Sequence, residues 1–307
     1  MRAVLVVNPN ATTTTRRTRD VLTRALASET KLEIAETRRR WHAAALARSC
    51  AADGVDVIVV LGGDGTVNEV ANGLLTEGPQ PGLPAVAVIP GGSTNVLARS
   101  LGLPRDPVEA TGAVLEALRN GTRRTIGLGL ADSRYFTFCS GLGLDAEIVR
   151  AAESLRSTGT RVSNSVHTRT AFRTFFTASD RRHPPLTIER PGRPAERGLF
   201  CAIVQNTSPW TYSGNQSLSP CPDASFDLGL DVFSLRTMRT VPAADQLLRV
   251  LGKGRPPGGR AALVLHDLDE FTVIATRPLP HQVDGEYLGE RERVTYRSVP
   301  HALDIVL

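Results

Sequence analysis

Apolar and polar positions follow two different rhythms along the 307-residue chain. Over the first 125 or so residues, short runs of Val, Ile and Leu alternate with stretches of helical spacing. That alternation predicts strands and helices in turn, and so a parallel sheet. Strands are expected at "RAVLVVNP", "KLEIAET", "VDVIVVL" and "PAVAVIP". Helices are expected over about 16–28, over "RWHAAALARSCAADG" as far as Gly54, from about Thr66 to Leu75, at "STNVLARSLG", and over 107–121 with Gly121 as the stop signal. From "RRTIGLGLADSRYFTFCSGLGLDAEI" onward the rhythm becomes strand after strand: "LTIER", "LFCAIVQN", "LGLDVFSL", "ALVLHDL", "EFTVIAT", "RVTYRS" and "LDIVL". Two helix candidates interrupt them, at 168–179 and 242–252, while "RRHPPL" and 253–260 read as surface loops. The expected organisation is an α/β domain over 1–125 and a mainly antiparallel β domain over 126–307, whose last strand is free to return to the first domain.

Composition narrows this picture. With 41% hydrophobic and 22% charged residues, the chain is a globular rather than a disordered sequence. The longest apolar runs, such as Val57–Leu61, are far too short to span a bilayer. The five-residue apolar run at the N-terminus reads as a strand, not a signal peptide, so a cytoplasmic location is expected. Cys50, Cys139, Cys201 and Cys221 have no paired spacing, which favours reduced thiols over disulfides or zinc. The net charge is +5, and 34 of the 36 basic residues are arginines. A basic surface suits phosphates or anionic lipid. No aromatic-basic interleaving points to nucleic acid, which is not an expected partner. Because only Lys31 and Lys253 are lysines, no Gly-Lys-Ser/Thr loop exists and a Schiff-base lysine is not expected. Six dispersed histidines contain no HExxH, which excludes a zinc hydrolase of that kind.

The chemistry gathers at strand ends. In "VDVIVVLGGDGTVNEVANGLL" (55–75) a buried strand runs through Gly62, Gly63, Asp64 and Gly65 into a helix. Free amides and the helix dipole there attract an anion, and glycines let it approach the backbone. Asp64 beside a polyphosphate makes sense with a divalent cation between them, held directly or through water; Thr66, Asn68 and Glu69 lie in the first turn. The plainer alternative is a tight turn with Asp64 as an N-cap. "VVNPNA" (6–11) and "VIPGGSTNVLAR" (88–99) also follow strands, and loops at the C-termini of parallel strands gather on one edge. "HQVDGEYLG" (281–289) is a strong hairpin signal, and its Asp284 and Glu286 also suit general-base work on an alcohol.

Taken together, "NPN", "GGDGTVNEV", "PGGSTNVLARSLGLP" and "QVDGE" resemble the diacylglycerol kinase catalytic-domain family, which includes soluble bacterial lipid kinases and sphingosine and ceramide kinases. The resemblance extends over nearly the whole chain. It implies an N-terminal nucleotide domain like that of NAD kinases and phosphofructokinases, a C-terminal β-sandwich, and ATP with Mg²⁺ in the cleft between them. Carried over by position, Asn8, Thr37, Gly62, Gly63, Asp64, Gly65, Thr66, Asn68, Glu69, Gly92, Ser93 and Asn95 are expected nucleotide contacts. Asp64 and Asp227 are expected at metal, and Asp64, Asp284 and Glu286 in catalysis, with Glu286 preferred as the base. The segment 221–233 is one residue shorter than the family's "DDGLLD" pattern, with Leu228 where the second Asp would fall. Val96 departs similarly, standing where many members have Asp. Asp145, in "SGLGLDAEIV", joins the metal-linked network or caps a helix starting at Ala146. With no lysine in the loops, Arg17 and Arg38 are candidates for meeting transition-state charge.

The implied activity is transfer of the γ-phosphoryl group of ATP to a lipid alcohol, which places the chain in phospholipid metabolism with peripheral membrane contact. A homodimer is compatible with it. The segment 165–182, which mixes phenylalanines with arginines, suits either a membrane surface or the β-domain core. The rivals are an NAD kinase, sharing only the first glycine loop, and a catalytically inactive nucleotide- or lipid-binding regulator.

Overall fold

The computed structural model describes residues 1–9, 11, 15–157, 181–252 and 255–307. The helix expected at 168–179 therefore lies outside the described residues. The chain forms two compact units, Met1–Leu128 with Pro300–Leu307, and Gly129–Val299.

In the first unit, β1 (Arg2–Val7), α1 (Arg16–Ala27), β2 (Lys31–Glu36), α2 (His42–Ala52), β3 (Val57–Gly62), α3 (Asp64–Leu74), β4 (Ala85–Pro90), α4 (Val96–Ser100) and α5 (Pro107–Asn120) follow the order read from the pattern. The four strands are parallel and lie in the order β4-β3-β1-β2. Every residue of β3 and β4 is buried, as expected of strands covered on both faces. Leu5, Val59, Leu61 and Ile89 pack with Leu22 and Leu26 of α1 and Val114 of α5. Burying each such side chain contributes about 1.5–3 kcal/mol. On the other face α2 and α3 touch closely: a Cβ at Gly73 would sit 2.7 Å from Ala44 Cα. The alanine-rich α2 and the glycine of α3 thus belong to one packing solution.

β2 lies on one side of β1 and β3 on the other, so the strand order reverses at β1. In open α/β sheets that reversal opens a crevice beyond the strand C-termini, where ligands bind. Asn8 follows β1, Thr37 follows β2 and Gly63 follows β3, so the expected site residues stand at this edge.

The chain crosses into the second unit within β5 (Arg123–Ala131). There β6 (Arg134–Phe136), β7 (Cys139–Gly143), α6 (Leu144–Ser157), β8 (Leu186–Glu189), β9 (Glu196–Leu199), β10 (Cys201–Gln205), β11 (Thr211–Ser213), β12 (Gln216–Leu218), β13 (Leu230–Leu235), α7 (Thr240–Val250), β14 (Ala262–Leu268), β15 (Glu270–Val283) and β16 (Glu286–Val306) follow. Pairing in this unit is antiparallel, along β14-β13-β10-β7-β15-β16. The fold class, mixed α/β with an antiparallel second part, agrees with the sequence pattern. Phe136, Phe271, Val273, Val294 and Tyr296 centre its core. Two expected strands, "RVTYRS" and "LDIVL", are one: β16 runs 21 residues through Pro300 and His301, and its Ile305 pairs in parallel with Val86 of β4. The hairpin β11–β12 lacks an apolar alternation and was not foreseen. No disulfide links the four cysteines, all of them buried. Among the described residues no helix is long and apolar enough to cross a membrane.

Candidate active site

The two glycine loops of the first unit are bolted to each other by main chain and one carboxylate. Gly91 N–H donates to Gly62 O at 2.8 Å. A Cβ at Gly92 would lie 2.7 Å from Gly63 Cα, and one at Gly62 would lie 2.8 Å from Thr66 Oγ1. Gly62 and Gly92 are therefore required by protein packing, and a Cβ at Gly63 would lie 3.2 Å from Gly92 Cα. At Gly65 nothing lies within 4 Å of an added Cβ, so there the backbone is open to an incoming group.

Asp64 accepts from Val96 N–H at 3.0 Å through one oxygen and from Leu97 N–H at 3.1 Å through the other. The N-cap of its own helix is Gly63, so Asp64 caps the neighbouring α4 and not α3. Val96, at the position of the family's Asp, is buried in the core. Asn95, left-handed at φ 50°, closes its loop by accepting from Gly92 N–H at 2.9 Å and donating to Gly92 O at 2.8 Å. Ser93 stands in this loop between them.

Glu69 behaves likewise. Its carboxylate accepts from Trp41 N–H at 2.8 Å and Ala43 N–H at 3.0 Å, tying the loop after β2 to α3 and capping α2. Asn8 Nδ2 donates to Thr66 Oγ1 at 3.2 Å, and Asn8 N–H to Leu61 O at 3.1 Å. Asn68 is buried and accepts from Asn72 Nδ2, one turn on in the same helix, at 3.1 Å. Beside these groups lies a cavity of about 210 Å³ lined by Asn8, Thr37, Arg38, Arg39, Arg40, Thr66 and Glu69. Sequence reasoning named four of these as nucleotide contacts and Arg38 as a charge donor. It missed Arg39 and Arg40, although the run "TRRR" was there to be noticed. Arg17 sits on α1 and does not line this cavity. A larger cavity, about 310 Å³, lies before β4 between 79–84 and 301–304, at the other end of that strand from the glycine loops.

In the second unit Asp284 and Gly285 both have positive φ, 47° and 77°, as a two-residue Asp-Gly hairpin requires. The Asp284 side chain is buried and accepts four hydrogen bonds: Thr137 N–H at 2.7 Å, Thr137 Oγ1 at 2.9 Å, Phe138 N–H at 3.0 Å and Cys139 N–H at 3.1 Å. A carboxylate offers about four acceptor sites, so this one is filled by the protein. Glu286, partly exposed, pairs with Arg134 at 3.1 Å. Gln282 links the turn to Asp145: its Oε1 accepts from Gly285 N–H at 2.9 Å while its Nε2 donates to Asp145 at 2.6 Å. Burial pushes the Asp145 carboxyl up to about 6, against the opposing effect of that hydrogen bond. Helix α6 begins at Leu144, so Asp145 does not cap a helix starting at Ala146. Nearby, burial holds His281 down at about 4.

Asp227 is exposed, with its N–H 3.3 Å from Ser225 Oγ. Among the described residues no group of three His, Cys, Asp or Glu is placed to hold a metal ion. Two of the roughly four acceptor sites of Asp64 are taken by α4 amides, and no step is routed through magnesium below.

Fold and site together give a polar, arginine-lined crevice at the edge of an open parallel sheet, joined in sequence to an antiparallel β unit. Residues 2–131 match the family model for the diacylglycerol kinase catalytic domain, which bears out the resemblance read from the motifs. Over 94 residues the chain is 42% identical to a diacylglycerol kinase of Bacillus subtilis (strain 168), a match covering 30% of this chain and 29% of that one. The matched stretch likewise spans 32% and 24% of two further curated relatives, so less than a third of each. A crystal structure of a diacylglycerol kinase from Bacillus anthracis str. Sterne shares the fold over 99% of this chain and 96% of that one, with a TM-score of 0.73 at 20% identity. An NAD kinase from Archaeoglobus fulgidus, solved in complex with ATP, is similar with a TM-score of 0.56 at 13% identity, over 100% of this chain and 94% of that one.

Proposed function

We propose that this chain is an ATP-dependent lipid kinase that moves the γ-phosphoryl group onto a lipid hydroxyl. The observation that carries the reading is the edge beyond β1, β2 and β3, where Asn8, Thr37, Thr66 and three arginines line one cavity beside the open backbone at Gly65. It lies within the stretch that matches the diacylglycerol kinase catalytic domain. On this reading Gly65 and its neighbours offer amides to the phosphates, and Arg38 to Arg40 supply the cationic charge that a lysine supplies in other kinases. Asp64 and Glu69 keep the loops in place through the amides they accept.

In the reaction the acceptor hydroxyl oxygen bonds to the γ-phosphorus, the bond to the β–γ bridging oxygen breaks, and ADP leaves with that electron pair. Glu286 takes the hydroxyl proton, oriented by Arg134, while Asp284 holds the turn that carries it. Diacylglycerol-like and sphingoid-like alcohols are both acceptors of the right chemistry, reached at a membrane surface from the cytosol.

Labelled ATP offered separately with a lipid extract and with NAD tests this. Label is expected in an organic-phase product whose mass exceeds a lipid alcohol by one phosphate. Label on NAD, or on nothing, would overturn it.

A further inference from the structure

Among the described residues, Trp41 is the one Phe, Tyr or Trp that is exposed, at 43%. Its backbone is left-handed, with φ 66° and ψ 8°, a conformation that glycine adopts freely and a bulky residue adopts only under constraint. It opens α2 without a side-chain cap, at a position where Ser, Thr, Asp or Asn would serve the helix better. Burial, backbone preference and capping therefore all fail to explain a tryptophan there.

Its neighbours fix where it stands. Trp41 N–H donates to Glu69 Oε1 at 2.8 Å, and Glu69 lines the cavity of about 210 Å³ together with Arg38, Arg39 and Arg40. Arg38 N–H donates to His42 Nδ1 at 3.1 Å and His42 N–H to Arg39 O at 3.2 Å, which closes the run 38–42 into a turn. Trp41 thus stands at the rim of that cavity. The cavity wall is polar throughout, with Asn8, Thr37 and Thr66 completing it. Such a wall suits phosphate oxygens and has no aromatic or aliphatic side chain to meet a heterocyclic base.

We infer that Trp41 is the platform on which the base of the phosphoryl donor stacks, so that the donor is a nucleotide and not a bare polyphosphate. An indole face at a wet rim takes the apolar face of a base and leaves the base edges in water. The left-handed backbone is a local strain of the kind held at ligand sites. This inference rests on the proposed phosphate role of the cavity and extends it to the base.

The two tryptophans, Trp41 and Trp210, allow a direct test, because Trp210 packs against the core of the second unit. ADP is expected to quench the tryptophan emission of the parent, and tripolyphosphate, which has no base, to displace ADP without quenching. In Trp41→Phe the quench should vanish while ADP affinity, measured by calorimetry, stays within about three-fold, because a ring remains. Trp41→Ala and Trp41→Gly should lower ADP affinity by about ten-fold or more and leave tripolyphosphate affinity unchanged. Trp41→Gly should melt no lower than the parent, since glycine suits the left-handed backbone, so its weaker binding does not reflect unfolding. ADP affinity in Trp41→Ala equal to the parent's, or tripolyphosphate affinity falling in step with it, would overturn the inference and leave the phosphate site standing. A parent that binds neither ADP nor tripolyphosphate would overturn the inference and the kinase reading together.

Discussion

Asp64 and Asp284 stand in turns of similar make-up, Gly-Asp-Gly and Asp-Gly, yet the two carboxylates are used to different depths. Asp64 accepts two amides and joins two loops 32 residues apart in sequence. Asp284 is buried, accepts four donors, and joins segments 147 residues apart. An acidic residue inside a recognisable motif is thus first a clasp for the backbone in both units. On the proposed function, chemistry falls to neighbours: Glu286 beside one turn, the arginines beside the other.

That contrast has measurable consequences. Removing Asp284 strips the acceptor from three backbone N–H groups and one hydroxyl in a buried place, at about 1–3 kcal/mol for each donor left unmade. Asp284→Ala should therefore lose more than about 3 kcal/mol in urea denaturation, whereas Asp64→Ala, a lost helix cap, should lose about 0.5–2 kcal/mol. Equal losses would erase the distinction.

A smaller effect belongs to Asp145, linked to the Asp284 turn through Gln282. Its carboxyl is raised from 3.8 to about 6 by burial, so the folded state holds the proton more tightly than the unfolded one. Stability from this group is then full below the unfolded value and falls as the pH climbs through the folded one. Asp145→Asn keeps an acceptor for Gln282 without a charge. The variant should be more stable than the parent by up to about 3 kcal/mol at pH 7.5, with the gap closing toward pH 4. Denaturant midpoints across that range check it, and a variant weaker than the parent at pH 7.5 would contradict the burial account.

Much of the fold was legible because periodicity records which faces are buried. The βαβ rhythm, the strand-ending motifs and the Asp-Gly hairpin all came from local pattern. The merger of two expected strands into β16 did not, since Pro300 and the polar residues around it interrupt the alternation where the strand passes between units. The short β11–β12 hairpin carries too few apolar positions to announce itself. At the site, motif spacing located Asp64, Glu69 and Asp284 but not their partners. Whether a carboxylate is open to a ligand depends on amides supplied from distant sequence, and no local window contains them. Gly92 teaches the same lesson, for the Gly63 backbone that forbids a side chain there belongs to another loop.

The division of labour is tested most directly by Glu286→Gln in the labelled-phosphate assay with lipid acceptor, alongside its melting temperature. A roughly 100-fold fall in turnover at nearly unchanged stability is the expected result. Turnover equal to the parent's would contradict the assignment of proton transfer to Glu286.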